Sequence, residues 1–361
     1  MHRKLYILPV TLIITVMQTS CYQEINLDEY RNNEGENKLT INSLLCPDST
    51  LQLSATKTYF FSDIHNNRTY VKDLEISVMV NNVNEGKLEY NTARNLYISD
   101  VKLQPGDNVT LSTNYFGNQV TATDIMPKEV NIEGISVERH GPVSIYTNSD
   151  FVFSYGITFT DHPNEDNYYF LQWDAVEFGK DVRMGVRDYT YGFVFQQLAN
   201  QVHSTLPGWR PYCPEGLPFS DRGIEGDTHT IIVKEIVQMD EGSNNWRKTQ
   251  MKRGFKLFAI SKPYYDYLVS VLITQTGDKG IQGGIIDLGI ADPTKIYSNI
   301  DGGIGILGCY TMDYSEIDVM KIVGPFPTEK CYQSRFQYAP IETISSLKLD
   351  FFNPANTQTS I

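Results

Sequence analysis

The chain has 361 residues, 41% hydrophobic, 20% charged and 12% aromatic, with 30 Lys and Arg against 43 Asp and Glu and a formal net charge of −13. The apolar fraction excludes a disordered chain, 26 Gly and 16 Pro exclude a fibrous one, and the acidity argues against a nucleic-acid partner. The length suits two domains better than one, and 23 Tyr against 3 Trp favours strands and wet binding surfaces.

Residues 1–20 read as an address. His2, Arg3 and Lys4 give a basic start, and Leu5 to Met17 is an apolar run broken by Pro9. That run is short for a permanent span, and small residues follow before Cys21. The pattern fits a bacterial lipoprotein signal peptide with lipidation at Cys21. Removing Arg3 and Lys4 with the signal takes the charge from −13 to −15. Residues 21–37 carry Glu24, Asp28, Glu29, Glu34 and Glu36 among Asn and Gly, the composition of an acidic flexible tether. The expected location is the outer membrane, lipid-anchored and facing the cell exterior.

From Leu39 the apolar period is two: Leu39-Thr40-Ile41, Leu51-Gln52-Leu53, Leu74-Glu75-Ile76-Ser77-Val78, Val109-Thr110-Leu111 and Val120-Thr121-Ala122. Turn signals at Pro47-Asp48, Asn81-Asn82, Pro105-Gly106-Asp107 and Gly117-Asn118 separate the runs. This predicts an immunoglobulin-like β-sandwich over residues 38–127. Residues 128–361 predict a larger β domain, a sandwich or barrel-like unit. Its strands begin at Phe151, Tyr168, Thr228 and Phe255, and Tyr169, Leu171 and Trp173 alternate on the second of them. One amphipathic helix is predicted over 262–276, capped by Ser261, with Pro263 in its first turn and Gly277 to end it. The fold class is therefore mostly β.

Between Gly179 and Gly223 the periodicity fails while aromatics accumulate. Long irregular aromatic segments tend to be functional, so Tyr189, Tyr191, Trp209 and Tyr212 are the candidate ligand-binding residues for a carbohydrate or peptide. Gly303-Ile304-Gly305-Ile306-Leu307-Gly308 matches a dinucleotide fingerprint in letters. However, Cys309-Tyr310-Thr311-Met312 continues as a strand, whereas phosphate binding needs a helix to open there. A glycine-rich bend feeding a strand is the better reading. Adjacent pairs such as Glu165-Asp166 and Asp240-Glu241 read as solvated loops rather than a shared acid–base cleft, and Asp161, Glu165 and Asp166 lack a calcium-loop frame. Cys46, Cys213, Cys309 and Cys331 allow three disulfide pairings, which sequence leaves open. No catalytic residue, metal site or cofactor is expected.

Several stretches in order carry a family resemblance. They are the opening Cys21-Tyr-Gln-Glu-Ile-Asn-Leu, Phe219-Ser220-Asp221-Arg222 leading into Thr228-His-Thr-Ile-Ile-Val, the segment FKLFAISKPYYDYLVSVLITQ from Phe255 to Gln275, and Ser298-Asn-Ile-Asp-Gly-Gly-Ile-Gly-Ile-Leu-Gly308. Together they resemble the Bacteroidota outer-membrane lipoprotein family known as domain of unknown function 4249. The resemblance implies a partner, a TonB-dependent barrel of the starch-utilisation type, and offers no catalytic residues. The expected role is a non-catalytic, lipid-anchored protein that binds a ligand or assists such a transporter. The alternatives are an adhesin or surface-assembly subunit built from β-sandwich modules and, further off, an exported hydrolase.

Overall fold

The structure is a computed structural model that describes residues 38–47, 49–58, 69–143, 150–178, 182–188, 216–239, 251–277 and 296–325. It is mostly β, as the strand periodicity predicts. The first strands are β1 (Leu39–Leu45), β2 (Leu51–Lys57), β3 (Ser77–Val80), β4 (Val83–Lys87), β5 (Glu89–Asn91), β6 (Leu96–Ser99), β7 (Asn108–Tyr115) and β8 (Asn118–Ile125). Then come β9 (Gly134–Val143), β10 (Asp150–Thr160), β11 (Tyr168–Phe178), β12 (Val182–Asp188), β13 (Leu217–Ser220), β14 (Thr228–Met239) and β15 (Met251–Ile260). Helix α1 (Lys262–Gly277), β16 (Ile300–Asp301), β17 (Ile304–Asp318) and the short α2 (Val319–Val323) complete the described elements.

One long sheet organises everything. Its order is β13-β11-β15-β17-β1-β2-β6-β5, with two smaller sheets, β16-β8-β7-β3-β4 and β12-β14-β10-β9. Strand β17 joins the halves. Its first part pairs parallel with β1, from Thr40 opposite Ile304 to Leu45 opposite Cys309. Its second part pairs antiparallel with β15, from Ile260 opposite Tyr310 to Lys252 opposite Asp318. Side chains alternate along a strand, so Leu307, Cys309 and Ile317 share one face of β17. Leu307 and Cys309 enter the core formed by β1, β2, β3, β7 and β8, while Ile317 packs on the core formed by β10, β11, β14 and β15. Both small sheets therefore cover the same face of the long one.

The first core thus recruits Ile300, Leu307 and Cys309 from late in the chain, beyond the 38–127 span that sequence periodicity marks for the sandwich. The connector after Met126 crosses between the two small sheets. Thr311 Oγ1 donates to the Lys128 carbonyl at 2.9 Å, and the Ile132 N–H donates to Asp313 Oδ2 at 2.7 Å.

The glycine block sits where β17 meets β1. Gly305 has φ +115°, and a Cβ there would overlap the Ile41 carbonyl; Gly302, at φ +72°, faces the Gln119 carbonyl in the same way. Only glycine tolerates both that backbone and that approach. No helix opens after the block, so it is a bend feeding a strand.

The second core is aromatic. Trp173 stacks on Phe255 at 5.9 Å, and Tyr155 touches both rings at 5.4 Å. Truncating a buried Trp of this kind costs about 3–5 kcal/mol. Arg253 and Glu235 lie inside the same core. Arg253 Nε and Nη2 donate to the two Glu235 oxygens at 3.0 Å each, and Tyr155 Oη donates to Glu235 Oε2 at 2.8 Å. The pair bridges β15 to β14, from one sheet to the other. Burial and the neighbouring Glu235 hold the Tyr155 hydroxyl well above its ordinary pKa.

Candidate functional site

Helix α1 lies on the opposite face of the long sheet. Ser261 caps it, with its carbonyl accepting from the Tyr265 N–H at 2.9 Å. Its buried stripe is Tyr265, Val269 and Leu272, with Tyr264 and Leu268 partly buried against the same core. The helix is apolar on several sides, so the sheet beneath it selects which side is covered. Tyr265 packs on Tyr168 at 4.8 Å, and Gly308 leaves room for the Tyr264 ring.

Beside the helix, the same face carries an aromatic row. Phe170 and Phe258 are cross-strand partners with ring centroids 5.6 Å apart, and Phe258 meets Tyr310 edge-on at 5.6 Å. The next register positions bring Met312 opposite Phe258 and Tyr314 opposite Lys256, with Gln172 also opposite Lys256. Met312 and Tyr314 are each 45% exposed. The Tyr314 ring lies across Gly254, and its hydroxyl donates to Glu316 at 3.2 Å. Burial, then a hydrogen bond with the Cys46 thiol, raises the Tyr310 pKa and keeps that hydroxyl neutral. The result is an apolar face of canted rings with amide, ammonium and phenol groups at its margin. Such a surface stacks on a ring or an extended chain and offers hydrogen bonds at its rim.

The sequence candidates Tyr189, Tyr191, Trp209 and Tyr212 lie outside the described residues, as does Cys21. What is described is where their segment leaves and rejoins the fold. It follows β12, an edge strand of the four-stranded sheet, and leads into β13, an edge strand of the long sheet. Gly216, just before β13, lies against the Phe170 ring at the end of the aromatic row. Phe219 belongs to that irregular stretch but is core, packed on Tyr169 at 5.3 Å and Phe159 at 6.1 Å. Sequence reasoning missed Met312 and Tyr314. Their one signal in the sequence is the alternation of Tyr310, Met312 and Tyr314, which marks one face of a strand but not whether that face is covered.

A buried polar junction lies behind the helix start. Ser261 Oγ donates to Asp124 Oδ2 at 2.5 Å and accepts from the Cys309 N–H at 3.2 Å. One serine therefore ties β8, α1 and β17. Burial pushes the Asp124 carboxyl up to about 6, against its hydrogen bonds from Ser261, Ile125 and Cys309. Burial and Asp124 together raise the Cys309 thiol. Cys46 and Cys309 are both free thiols, so the pairing that would join them is not formed, and Cys213 and Cys331 lie outside the described residues.

The acidic loops serve structure. Asp161 accepts from Tyr169 Oη at 2.5 Å and the Gly226 N–H at 2.7 Å, and Glu165 pairs with Lys128 at 2.8 Å. Among the described residues, no group of His, Cys, Asp or Glu is arranged to hold a metal ion.

These features define a class: a mostly β protein whose two sandwiches share one long sheet, with a helix on that sheet's free face. The chain belongs to the family described as domain of unknown function (DUF4249), whose family model matches residues 23–315. No curated protein matches the chain. Solved structures with some likeness include a β-glycosidase from Bacteroides vulgatus, at 12% identity and TM-score 0.19, matched over 62% of this chain and 23% of that one. Others are the Enterococcus faecalis MSCRAMM ACE (7% identity, TM-score 0.18, 79% of this chain and 95% of that one) and the collagen binding domain of Erysipelothrix rhusiopathiae surface protein RspB (10%, 0.18, 77% and 97%). The chain thus spans about a quarter of the glycosidase, and scores at this level carry no argument about function.

Proposed function

We propose that this chain is a non-catalytic lipoprotein of the Bacteroidota outer membrane, anchored through Cys21, that binds an extended carbohydrate or peptide ligand and works beside a TonB-dependent transporter. The observation that carries the binding role is the outer face of the long sheet. There Met312 and Tyr314 stand half-exposed at the end of the Phe170–Phe258–Tyr310 row, with Lys256 and Gln172 beside them. Support for the anchor comes from the leader pattern before Cys21 and the acidic stretch after it.

The binding role is tested with immobilised polysaccharides and peptides. The double variant Met312→Ser, Tyr314→Ala is expected to keep the parent's melting temperature and lose at least about tenfold in affinity, the worth of a desolvated aromatic contact. Equal binding by the folded variant overturns the assignment. The anchor is tested separately: a Cys21→Ala chain that still fractionates with the outer membrane as tightly as the parent overturns it.

A further inference from the structure

The first sandwich contains two hairpins with two-residue turns, and they obey different rules. Between β3 and β4 the turn is Asn81-Asn82, with φ 52° and 66°. Between β7 and β8 it is Phe116-Gly117, with φ 47° and 81°. Positive φ at both central positions is the I′ geometry, which Asn and Gly adopt readily. A Phe in that region is a strained exception. Packing does not repay the strain, because Phe116 is 80% exposed, the most exposed of the large apolar residues described. Its ring touches Tyr115, at 4.5 Å, and that pair forms the tip of the hairpin.

The position of the tip is as informative as its strain. Gly302 abuts the Gln119 carbonyl, and Gly303 abuts both the Leu39 carbonyl and the Val120 side chain. The start of β1 and the start of β8 are therefore at one end of the sandwich, and the β7–β8 tip projects past both. Lys57 is the cross-strand partner of Leu39, and exposed Lys38 precedes it; among the described residues these two cations stand at this end with two carboxylates, Asp73 near Tyr115 and exposed Asp301 opposite Thr121. Residues 21–37 reach Leu39 from Cys21. An aromatic tip, a margin that carries two lysines, and the attachment point of the tether thus share one pole.

We infer that the Tyr115–Phe116 tip is a membrane-contact element that seats Phe116 in the headgroup–acyl boundary of the bilayer holding the lipid anchor. The inference rests on the anchored reading proposed above. Strain kept at an exposed position marks a functional contact. An aromatic side chain favours the interfacial zone, and lysines beside it meet lipid phosphates. A single such contact is weak alone. Tethering raises its effective concentration, so it would set the orientation of the protein on the surface and present the long sheet's aromatic face away from the tip.

The test imposes its own anchor, so that its outcome does not depend on acylation of Cys21. The full mature chain, with a hexahistidine tag replacing Cys21, is held on phosphatidylethanolamine–phosphatidylglycerol vesicles containing a nickel-chelating lipid. With brominated acyl chains, the Phe116→Trp variant is expected to be quenched more than the parent chain, whose own tryptophans give the background. Equal quenching of the two overturns the proposal. In the same tagged chain at a limiting share of nickel lipid, Phe116→Asn suits the turn and keeps the fold. It is expected to lower vesicle partitioning by on the order of tenfold relative to the tagged parent, the worth of one inserted aromatic side chain. Equal partitioning of the two tagged chains also overturns it. Mass spectrometry of Cys21 from cells reports separately on the anchor.

Discussion

The carbonyl of Ile41 occupies the space that a side chain on Gly305 would need. This contact is where the end of the chain closes the beginning: β17 lies parallel to β1 through six paired positions, and its side chains complete the first core. Gly305→Ala adds a methyl group at φ +115° against a rigid carbonyl. We expect a loss of at least ~2 kcal/mol, from left-handed strain plus displacement of β1. Urea unfolding of the variant measures it. A cost below about 0.5 kcal/mol, the range of neutral surface changes, contradicts the β1–β17 pairing.

The buried Arg253–Glu235 pair predicts a double-mutant cycle. Arg253→Met leaves Glu235 inside the core with the Tyr155 hydroxyl and no cation, at an expected cost of about 3–5 kcal/mol. Arg253→Met with Glu235→Leu removes both charges and is expected to recover most of that loss, since buried ion pairs are rarely better than apolar packing of similar volume. Thermal or denaturant unfolding of the three variants reads the coupling. Additive losses in the double variant would show that the two groups act independently.

How far these features were legible in the sequence differs by element. Strands β1, β2, β7 and β8 face a core on one side only, so Leu39, Ile41, Leu51, Leu53, Val109, Leu111, Val120 and Ala122 alternate cleanly and the period is visible. Strand β17 loses that period at Ile306 to Cys309, where all four residues are buried, the helix covering one face and the first core the other. Its parallel partner lies at the far end of the chain, and no local pattern specifies such a pairing. Arg253 sits in Lys252-Arg253-Gly254, which reads as solvated charge; only the opposing sheet shows that it points inward. On the candidate site, the Tyr-rich helix and its Ser261 cap were readable. The exposure of Met312 and Tyr314 was not, because it depends on where α1 stops covering the sheet.

The junction at Asp124 gives a pH dependence with a defined sign. Its folded pKa is about 6 against an ordinary 3.8, so the folded protein holds this proton more tightly than the unfolded chain. The favourable contribution is complete below pH 3.8 and is lost as pH rises through about 6. A difference near two pH units is worth about 3 kcal/mol. Asp124→Asn cannot ionise, so its stability relative to the parent is expected to rise between pH 4.5 and 7.5. Paired denaturant titrations at those two values measure that difference, in which the other titrating groups cancel. A parent–variant difference that is flat with pH contradicts the buried, shifted carboxyl.

The two hairpin turns predict opposite responses to reciprocal changes. Phe116→Asn places a residue suited to positive φ where a strained one stands and removes an exposed ring, so stability should rise by about 0.5–1 kcal/mol. Asn81→Phe imposes the same strain on the other turn and also removes two hydrogen bonds. The Asn81 amide oxygen accepts from the Asn108 N–H at 3.0 Å, and its amide nitrogen donates to Asp107 Oδ1 at 2.8 Å. The expected loss is about 1–2 kcal/mol. Melting temperatures of the two variants decide the matter. If Phe116→Asn instead destabilises the chain, Phe116 contributes to folding, and its retention at an exposed tip would need no external contact to explain it.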